Sequence, residues 1–364
     1  MSDIEILLLL TTLIIVAVIP RFWSYFIPTH QETVLVEGEK KQRVHSDNSQ
    51  RYEFYSFIRG IAMVGIILIH VSYFYVYVGD FAITFNTVLN NFSRFALPIF
   101  FISSGILLTQ PRWTKQWLVK FYSDRFFVVV IPYLLVTWFL VVVHERSTSE
   151  FIYHALTGTA SLPFYFVLVL LQLYVLYPII FSLAHKRWFI FLSLLVSIGV
   201  YLSGIGRMVG EIYTFLPFLF FFVWGIYMRE YFLYSKKYFV WWPWILIIFL
   251  FVGLQVVFGV DFFFNGQYFY GIAVLLLFFN LYYTEKIPAI ITSIFSWIGD
   301  RSLWVFLLHF PIMEGLFWYF STYPVFAGQW GEYILFMYLS IVLSIGIAGL
   351  CTYLQKRGVK WLFG

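Results

Sequence analysis

Two ionisable side chains, Arg59 and His70, lie inside a long apolar stretch of the sequence. They are eleven positions apart, which on an α-helix is about three full turns, so both project from nearly the same face. At a rise of about 1.5 Å per residue they lie roughly 16 Å apart along the axis, about half the thickness of a bilayer core. Because ionisable groups are costly at that depth, this spacing predicts a functional site that faces the protein interior.

The two residue types suit proton transfer beside a bound anion. A neutral imidazole can take a proton near pH 7, since its unperturbed pKa is about 6.5. An arginine keeps its charge, so it can bind a phosphate or stabilise an oxyanion. Structural roles are the alternatives: Arg59 could anchor the helix at the cytoplasmic interface, and His70 could hydrogen-bond a neighbouring helix.

Further polar residues mark other apolar segments. Arg94 opens the next segment from the outer side, where it could also simply mark the interface. His309 lies about two turns into a late segment, and Ser302, seven residues earlier, shares its helix face. Pro311 lacks a backbone donor and can open that helix just past His309. A packing role is the alternative for His309.

The composition of the 364-residue chain is that of an integral membrane protein. Hydrophobic residues make up 62% and charged residues 11%, against roughly 45–50% and about 25% in soluble globular chains. The apolar runs are continuous for about 17–25 residues, which predicts helices and not a barrel. The single cysteine, Cys351, excludes an intramolecular disulfide framework and offers no metal cluster. No soluble basic domain is left to bind nucleic acid.

Eleven apolar segments predict an all-α, polytopic membrane bundle of about eleven transmembrane helices. The first, residues 1–27, is interpreted as an uncleaved membrane helix because it lacks a basic leader and a small-residue cleavage site. Residues 28–52 are predicted to be a cytoplasmic linker, and residues 53–364 the membrane domain. The ten apolar cores of that domain are residues 54–78, 88–109, 126–144, 162–184, 189–203, 213–230, 239–260, 268–284, 302–320 and 333–354.

The distribution of lysine and arginine orients these helices. With the N-terminus outside, the inside loops and tail, including a loop at residues 284–293, carry seventeen such residues. The outside loops carry only Arg146 and Arg207. Because positive charge collects on cytoplasmic loops, this bias predicts a cytoplasmic C-terminus. The outside loops are also short, so any chemistry takes place within or at the edge of the bundle.

Four phrases of the sequence resemble those of the acyltransferase family 3 of integral membrane enzymes, and they occur in the same order. The first is an arginine followed, after ten residues, by a histidine. The second and third are PIFFISSGILL and FYFVLVLLQLYVLYP, and the fourth, GDRSLWVFLLHFP, contains a glycine, a serine and a histidine at the family's spacing. These phrases correspond to Arg59 and His70, to a stretch from Pro98, to Phe164–Pro178, and to Gly299, Ser302 and His309.

The sequence departs from the family pattern at three places. Members often carry an aspartate three residues before the motif arginine, where this chain has Ser56. Many have two arginines at the start of the third core helix; here Arg125 is kept and Val129 stands in place of the second. The extra first helix is not part of the common core. The second departure concerns the way in which the donor phosphates are held.

The resemblance implies a donor such as acetyl-coenzyme A, or another acyl-coenzyme A, and no metal. The acceptor would be a hydroxyl of an envelope sugar, an exopolysaccharide or a lipid-linked glycan, outside the cytoplasmic membrane of a bacterium. His70 would act as general base or transient acyl carrier, Arg59 would bind donor phosphate or stabilise the thioester oxyanion, and His309 would be a second proton-transfer group. Arg94, Arg125 and Ser302 would bind substrate, and glycan-synthesis proteins are possible partners.

Two other classes of function are compatible with a polytopic bundle. A polysaccharide exporter or flippase should show a wide polar path along several helices, whereas here buried charge is concentrated on two or three of them. A structural or sensory membrane protein should tolerate apolar residues at Arg59 and His70. Both alternatives predict no acyl transfer.

Overall fold

The computed structural model describes residues 40–74, 80–108, 111–144, 147–231, 261–323 and 329–363, together with the single positions 245 and 248. The predicted first helix, residues 1–27, and nearly all of the predicted core at residues 239–260 lie outside the described residues. The described part is a helical bundle with one short β-hairpin.

Most consecutive helices of the described part are joined by short connections. They are α1 Lys40–Phe74, α2 Asp80–Ser93, α3 Ala96–Leu107, α4 Lys115–Arg125, α5 Ile131–Val143, α6 Thr148–Thr157, α7 Tyr165–Ala184, α8 Arg187–Ser203, α9 Leu219–Tyr231, α10 Asp261–Tyr283, α11 Ala289–Gly299, α12 Ser302–Thr322 and α13 Gln329–Phe363. The hairpin between α8 and α9 consists of β1 Met208–Val209 and β2 Ile212–Tyr213, in which Met208 lies opposite Tyr213. Three 3₁₀ or π-helical turns, Phe126–Val130, Leu162–Phe164 and Leu216–Phe218, precede α5, α7 and α9.

Five described helical stretches are long and apolar enough to cross a membrane. They are Tyr52–Phe74, Lys115–Val143, Leu162–Ala184, Ser302–Thr322 and Trp330–Arg357. Four further apolar helices are shorter: Arg187–Ser203, Leu216–Arg229, Tyr270–Tyr283 and Ala289–Gly299. The protein is therefore a polytopic helical membrane protein, as the composition predicted.

Helix α1 lies at the centre of the packing and contacts α2, α3, α11, α12 and α13. Its apolar side chains Phe54, Ile58, Ala62 and Ile67 have no exposed surface. We call the end at which α1 begins the inner end of the bundle and the opposite end the outer end, after the orientation that the charge bias predicts. Because α1 touches helices from both halves of the chain, it can bring their side chains to one site.

Helix α11 was not predicted from the sequence, which placed a loop at residues 284–293. Its eleven residues are too few to span a bilayer, so a search for membrane-length segments does not find it. It packs against the inner half of α1 through two glycines. A Cβ at Gly60 would overlap the carbonyl oxygen of Phe295, and a Cβ at Gly299 would overlap that of Ser56. The two backbones approach this closely only because neither glycine has a side chain.

Other boundaries also differ from the sequence prediction. The segment at residues 88–109 is two helices, α2 and α3, which meet at a turn containing Arg94. Helix α1 begins at Lys40, inside the predicted linker. Pro311 does not open its helix, since α12 continues to Thr322. The loss of one backbone hydrogen bond is tolerated where neighbouring helices pack around the proline.

Candidate active site

Arg59 connects α1 to the beginning of α12. Its guanidinium donates a hydrogen bond to the hydroxyl of Ser302, a residue that is 1% exposed. The Arg59 Cζ atom lies 5.5 Å from the ring centroid of Phe100, a distance at which the cation is attracted to the ring. The buried Nε of Arg59 has no hydrogen-bond partner among the described residues. The serine and the ring thus position the cation while leaving the Nε–H, among other donors, for a ligand.

His70 and His309 lie side by side on α1 and α12. Their ring centroids are 5.1 Å apart, with an angle of 42° between the ring planes. His309 has no exposed surface, and its Nδ1 lies 2.6 Å from the carbonyl oxygen of Phe306. Because a carbonyl only accepts, Nδ1 must carry the hydrogen, and in the neutral ring Nε2 then keeps its lone pair. That Nε2 is buried without a partner among the described residues.

Arg94 lies within electrostatic range of His70 and is oriented by α2. Its Nε donates to the Oδ1 of Asn90 at 3.0 Å. The Asn90 amide in turn donates to the carbonyl oxygen of Ile69 at 3.1 Å and to the hydroxyl of Ser72, the residues that flank His70 along α1. The Arg94 charge is close enough to act on the His70 ring. One amide side chain therefore links the position of Arg94 to the backbone next to His70.

Arg125 lies at the inner end, at the junction of α4 and a π-helical turn. Its Cζ is 5.2 Å from the Phe121 ring centroid and 5.3 Å from that of Tyr174. The buried Arg125 Nε has no hydrogen-bond partner in the described chain. Pro132, two residues after the turn, cannot donate to the carbonyl of residue 128, which accounts for the wider local turn. π-Helical turns of this kind occur frequently at functional sites.

Arg229 is a further cation at the inner end that the sequence did not single out. Its guanidinium donates to the carbonyl oxygen of Leu108, the residue that follows α3, and it hydrogen-bonds Tyr177. The charges of Arg125 and Arg229 both act on Tyr177. In the sequence Arg229 was only one of the seventeen positive residues that orient the helices, and no local motif distinguishes it.

Aromatic rings connect the inner cations to the histidine pair. Phe100, the ring beside Arg59, lies 6.4 Å from Phe306, and Phe306 lies 5.6 Å from the His309 ring. Arg59 and His70 are enclosed by the bundle, yet each keeps part of its surface accessible. The arrangement is a row of polar groups, Arg59, His309, His70 and Arg94, in which Phe100 and Phe306 connect Arg59 to the histidine pair.

The structure thus brings together five of the six residues predicted to form the site. Arg59 contacts Ser302, His70 contacts His309, and Arg94 is linked through Asn90 to the backbone of Ile69, the residue before His70. Arg125, the sixth, lies on α4, and its charge acts on Arg59 without a direct contact. Within the described residues no group of three or more histidine, cysteine, aspartate or glutamate side chains could hold a metal ion.

A family model described as an acyltransferase domain matches residues 52–351, which is most of the chain. The chain belongs to acyltransferase family 3. Comparisons with curated proteins and with solved structures gave no match. The protein is therefore a membrane acyltransferase, and the matched region contains every candidate site residue.

At two departures from the family pattern, residues distant in sequence place a chemically similar group in the same region. Ser56, which stands where acyltransferase family 3 often has an aspartate, donates to the Oδ1 of Asp300 at 2.6 Å, and the Asp300 charge acts on Arg59. A carboxylate is thus present near the motif arginine. Val129, in place of the family's second arginine, is 5% exposed, and Arg229 supplies a second cation near Arg125.

Proposed function

We propose that the protein transfers an acyl group, most simply acetyl, from a cytoplasmic coenzyme A thioester to a hydroxyl of an envelope or exopolysaccharide sugar. The observation that carries this proposal is the row of polar groups from Arg59 to Arg94, with two adjacent imidazoles in its middle. The row begins near the inner end, where the donor is available, and extends toward the outer end, where the acceptor lies.

Three inner-end arginines suit the phosphates of coenzyme A. Arg59, Arg125 and Arg229 lie on α1, α4 and α9, and the unpartnered Nε atoms of Arg59 and Arg125 are free to donate. Guanidinium groups bind phosphate through directed, charge-assisted hydrogen bonds. On α1 the distance from Arg59 to His70 is roughly 16 Å, which is comparable to the length of the flexible arm that carries the thioester. Phosphates bound near Arg59 would therefore allow the thioester to reach His70.

The histidine pair then provides the proton transfers. His70 takes the proton of the acceptor hydroxyl while the hydroxyl oxygen attacks the carbonyl carbon of the thioester. The carbon–sulfur bond breaks, an ester forms, and His70 returns the proton to the departing thiolate. His309, whose Nδ1 is bonded to Phe306, can use its Nε2 lone pair to stabilise the His70 imidazolium. Two imidazolium ions side by side would repel each other, so at most one of the two rings carries a positive charge.

The proposal also covers the membrane topology of the enzyme, its acceptor class and its partners. An eleven-helix topology, with the N-terminus outside and the C-terminus in the cytoplasm of a bacterium, is supported by the seventeen-to-two charge bias. Lipid-linked glycans are an acceptor class that such a location makes accessible. Glycan-synthesis proteins in the same membrane are the proposed partners.

The substitution His70→Ala tests the proposal. Detergent-solubilised protein, given radiolabelled acetyl-coenzyme A and envelope glycan, should lose acyl transfer by about 10²–10⁴-fold, the usual contribution of a general base. His144→Ala is the matched control, because His144 is exposed at the end of α5 and away from the row. Both variants should elute as folded monodisperse protein.

Transfer at the wild-type rate in the His70→Ala variant would remove His70 from the mechanism. If wild-type membranes translocate glycan without incorporating any label, the exporter hypothesis replaces acyl transfer.

A further inference from the structure

The row of polar groups continues beyond Arg94 toward the outer end. Arg94 lies within electrostatic range of Tyr165, at the beginning of α7, and of Tyr201, near the end of α8. The Tyr165 ring lies 4.6 Å from the ring of Tyr213 on strand β2. Arg207, just before β1, places its Cζ 5.9 Å from the Tyr213 centroid. The charges of Arg94 and Arg207 both act on Tyr165, so two cations flank a pair of tyrosines.

The hairpin that carries Arg207 and Tyr213 is firmly attached to the bundle. Gln172 of α7 donates to the carbonyl oxygen of Tyr213 at 2.8 Å and accepts from the backbone N–H of Phe215 at 3.0 Å. At the hairpin tip, the hydroxyl of Tyr153 donates to the carboxylate of Glu211. These contacts hold the tyrosine pair and Arg207 in a fixed position over the outer end of the row.

The position of Arg207 is unusual for a residue with only a structural role. Positive residues collect on cytoplasmic loops, and an arginine on an outer loop opposes the predicted orientation. Only Arg146 and Arg207 do so in the sequence. Arg207 is exposed, whereas Tyr165, Tyr201 and Tyr213 are each partly accessible. A ligand arriving from outside could therefore reach the cation and the rings together.

We propose that Arg94, Tyr165, Tyr213 and Arg207 form the acceptor-binding site, and that this site selects sugars carrying a carboxylate or a phosphate. Guanidinium groups recognise both anions through paired, charge-assisted hydrogen bonds. Tyrosine offers an apolar face to the C–H side of a sugar ring and a hydroxyl to its polar edge. The proposal rests on the proposed acyl transfer, because Arg94 would place the bound sugar next to His70.

The test measures binding of three disaccharides to the detergent-solubilised full chain by titration calorimetry. They are a neutral glucose disaccharide, the same disaccharide ending in glucuronic acid, and the same disaccharide bearing a phosphate monoester. We expect at least one acidic disaccharide to bind about tenfold more tightly than the neutral one. The carboxylate and phosphate versions separate a uronic-acid acceptor from a sugar phosphate such as a lipid-linked intermediate.

Arg207→Gln should abolish the preference for the acidic sugar, and Tyr213→Phe, which keeps the ring, should keep that preference. Arg187→Gln, which removes an exposed charge at the other end of the bundle, is the matched control and should change nothing. Equal binding of neutral and acidic sugars, no binding of any of them, or an acidic preference that survives Arg207→Gln would overturn the proposal.

Cleavage of acetyl-coenzyme A is measured separately, as release of free thiol. It distinguishes failure of the proposed acyl transfer from failure of the proposed acceptor-binding site. Cleavage without Arg207-dependent sugar binding leaves acyl transfer standing and rejects this acceptor site. Arg207-dependent binding of acidic sugars without any cleavage keeps the site and rejects the proposed transfer.

Discussion

The two halves of α1 hold their functional side chains by different physical means. In the inner half, which carries Arg59, the α1 backbone packs directly on α11 through Gly60 and Gly299. In the outer half, which carries His70, side-chain hydrogen bonds from α2 and ring contacts from α12 provide the support. Close backbone packing tolerates almost no added volume, whereas a hydrogen-bonded side chain can be lost with a smaller change in structure.

Arg59 and Arg94 also differ in how their N–H groups are used by the surrounding protein. Arg59 is held by a serine and by the face of Phe100, which use few of its N–H groups. Arg94 already gives its Nε hydrogen to Asn90. The face of an aromatic ring positions a guanidinium without accepting its hydrogen bonds. The N–H groups therefore stay available to bind phosphate. The comparison therefore predicts that inner-half changes affect folding or donor use and that outer-half changes affect acceptor use.

The largest effect is expected from Gly60→Ala in the inner half. The added Cβ meets the Phe295 carbonyl, so helix α1 or α11 must shift, at a cost of about 3 kcal/mol. The melting temperature in detergent should fall clearly, with loss of monodisperse protein. Gly315→Ala is the control, since a Cβ there meets nothing within 4 Å. Equal melting temperatures for the two variants would show that the α1–α11 contact is not tight.

Arg59→Lys should have the next largest effect. Lysine keeps the charge but loses the planar group over Phe100 and the directed hydrogen bond to Ser302. A fall in acyl-transfer rate of about 10–100-fold is expected, the equivalent of one charge-assisted hydrogen bond. Arg357→Lys, which removes a guanidinium from the exposed ring of Tyr353, is the matched control. A fully active Arg59→Lys variant would reduce Arg59 to an electrostatic anchor.

Arg229→Gln should weaken donor binding in a way that depends on the nucleotide part of the donor. We expect the KM for acetyl-coenzyme A to rise about tenfold, because one phosphate contact is lost. The KM for acetyl-pantetheine, which lacks the nucleotide, should not change. A parallel rise for both donors would indicate that Arg229 only supports α3 through its hydrogen bond to Leu108.

The smallest effect is expected from Asn90→Leu in the outer half. Without the amide, Arg94 loses the contact that orients it beside His70, so acyl transfer should fall about fivefold, with an unchanged KM for the donor. Asn86→Leu is the control, because Asn86 also ties α2 to α1, through the carbonyl of Ser72, and its Oδ1 accepts from Tyr333. If both variants lose activity equally, the docking of α2 matters and the orientation of Arg94 does not.

Local pattern was sufficient to predict the class of the protein and the faces of its helices. Continuous apolar runs cannot remain in water, so the sequence alone indicates a helical membrane bundle. The 3.6-residue period places Arg59 and His70 on one face of α1, and Ser302 and His309 on one face of α12. The ordered motifs predicted the acyltransferase family, which the family match to residues 52–351 confirmed.

Only the tertiary structure decided which of these faces meet. Arg59 and Ser302 are 243 positions apart, and the contributions of Asp300 and Arg229 have no local signal. Periodicity fixes the direction of a side chain on its own helix, but not the identity of the helix that packs against it. That choice depends on shape, as at Gly60 and Gly299, where the absence of a side chain lets α11, a helix too short to be recognised as a membrane span, pack against α1 next to Arg59.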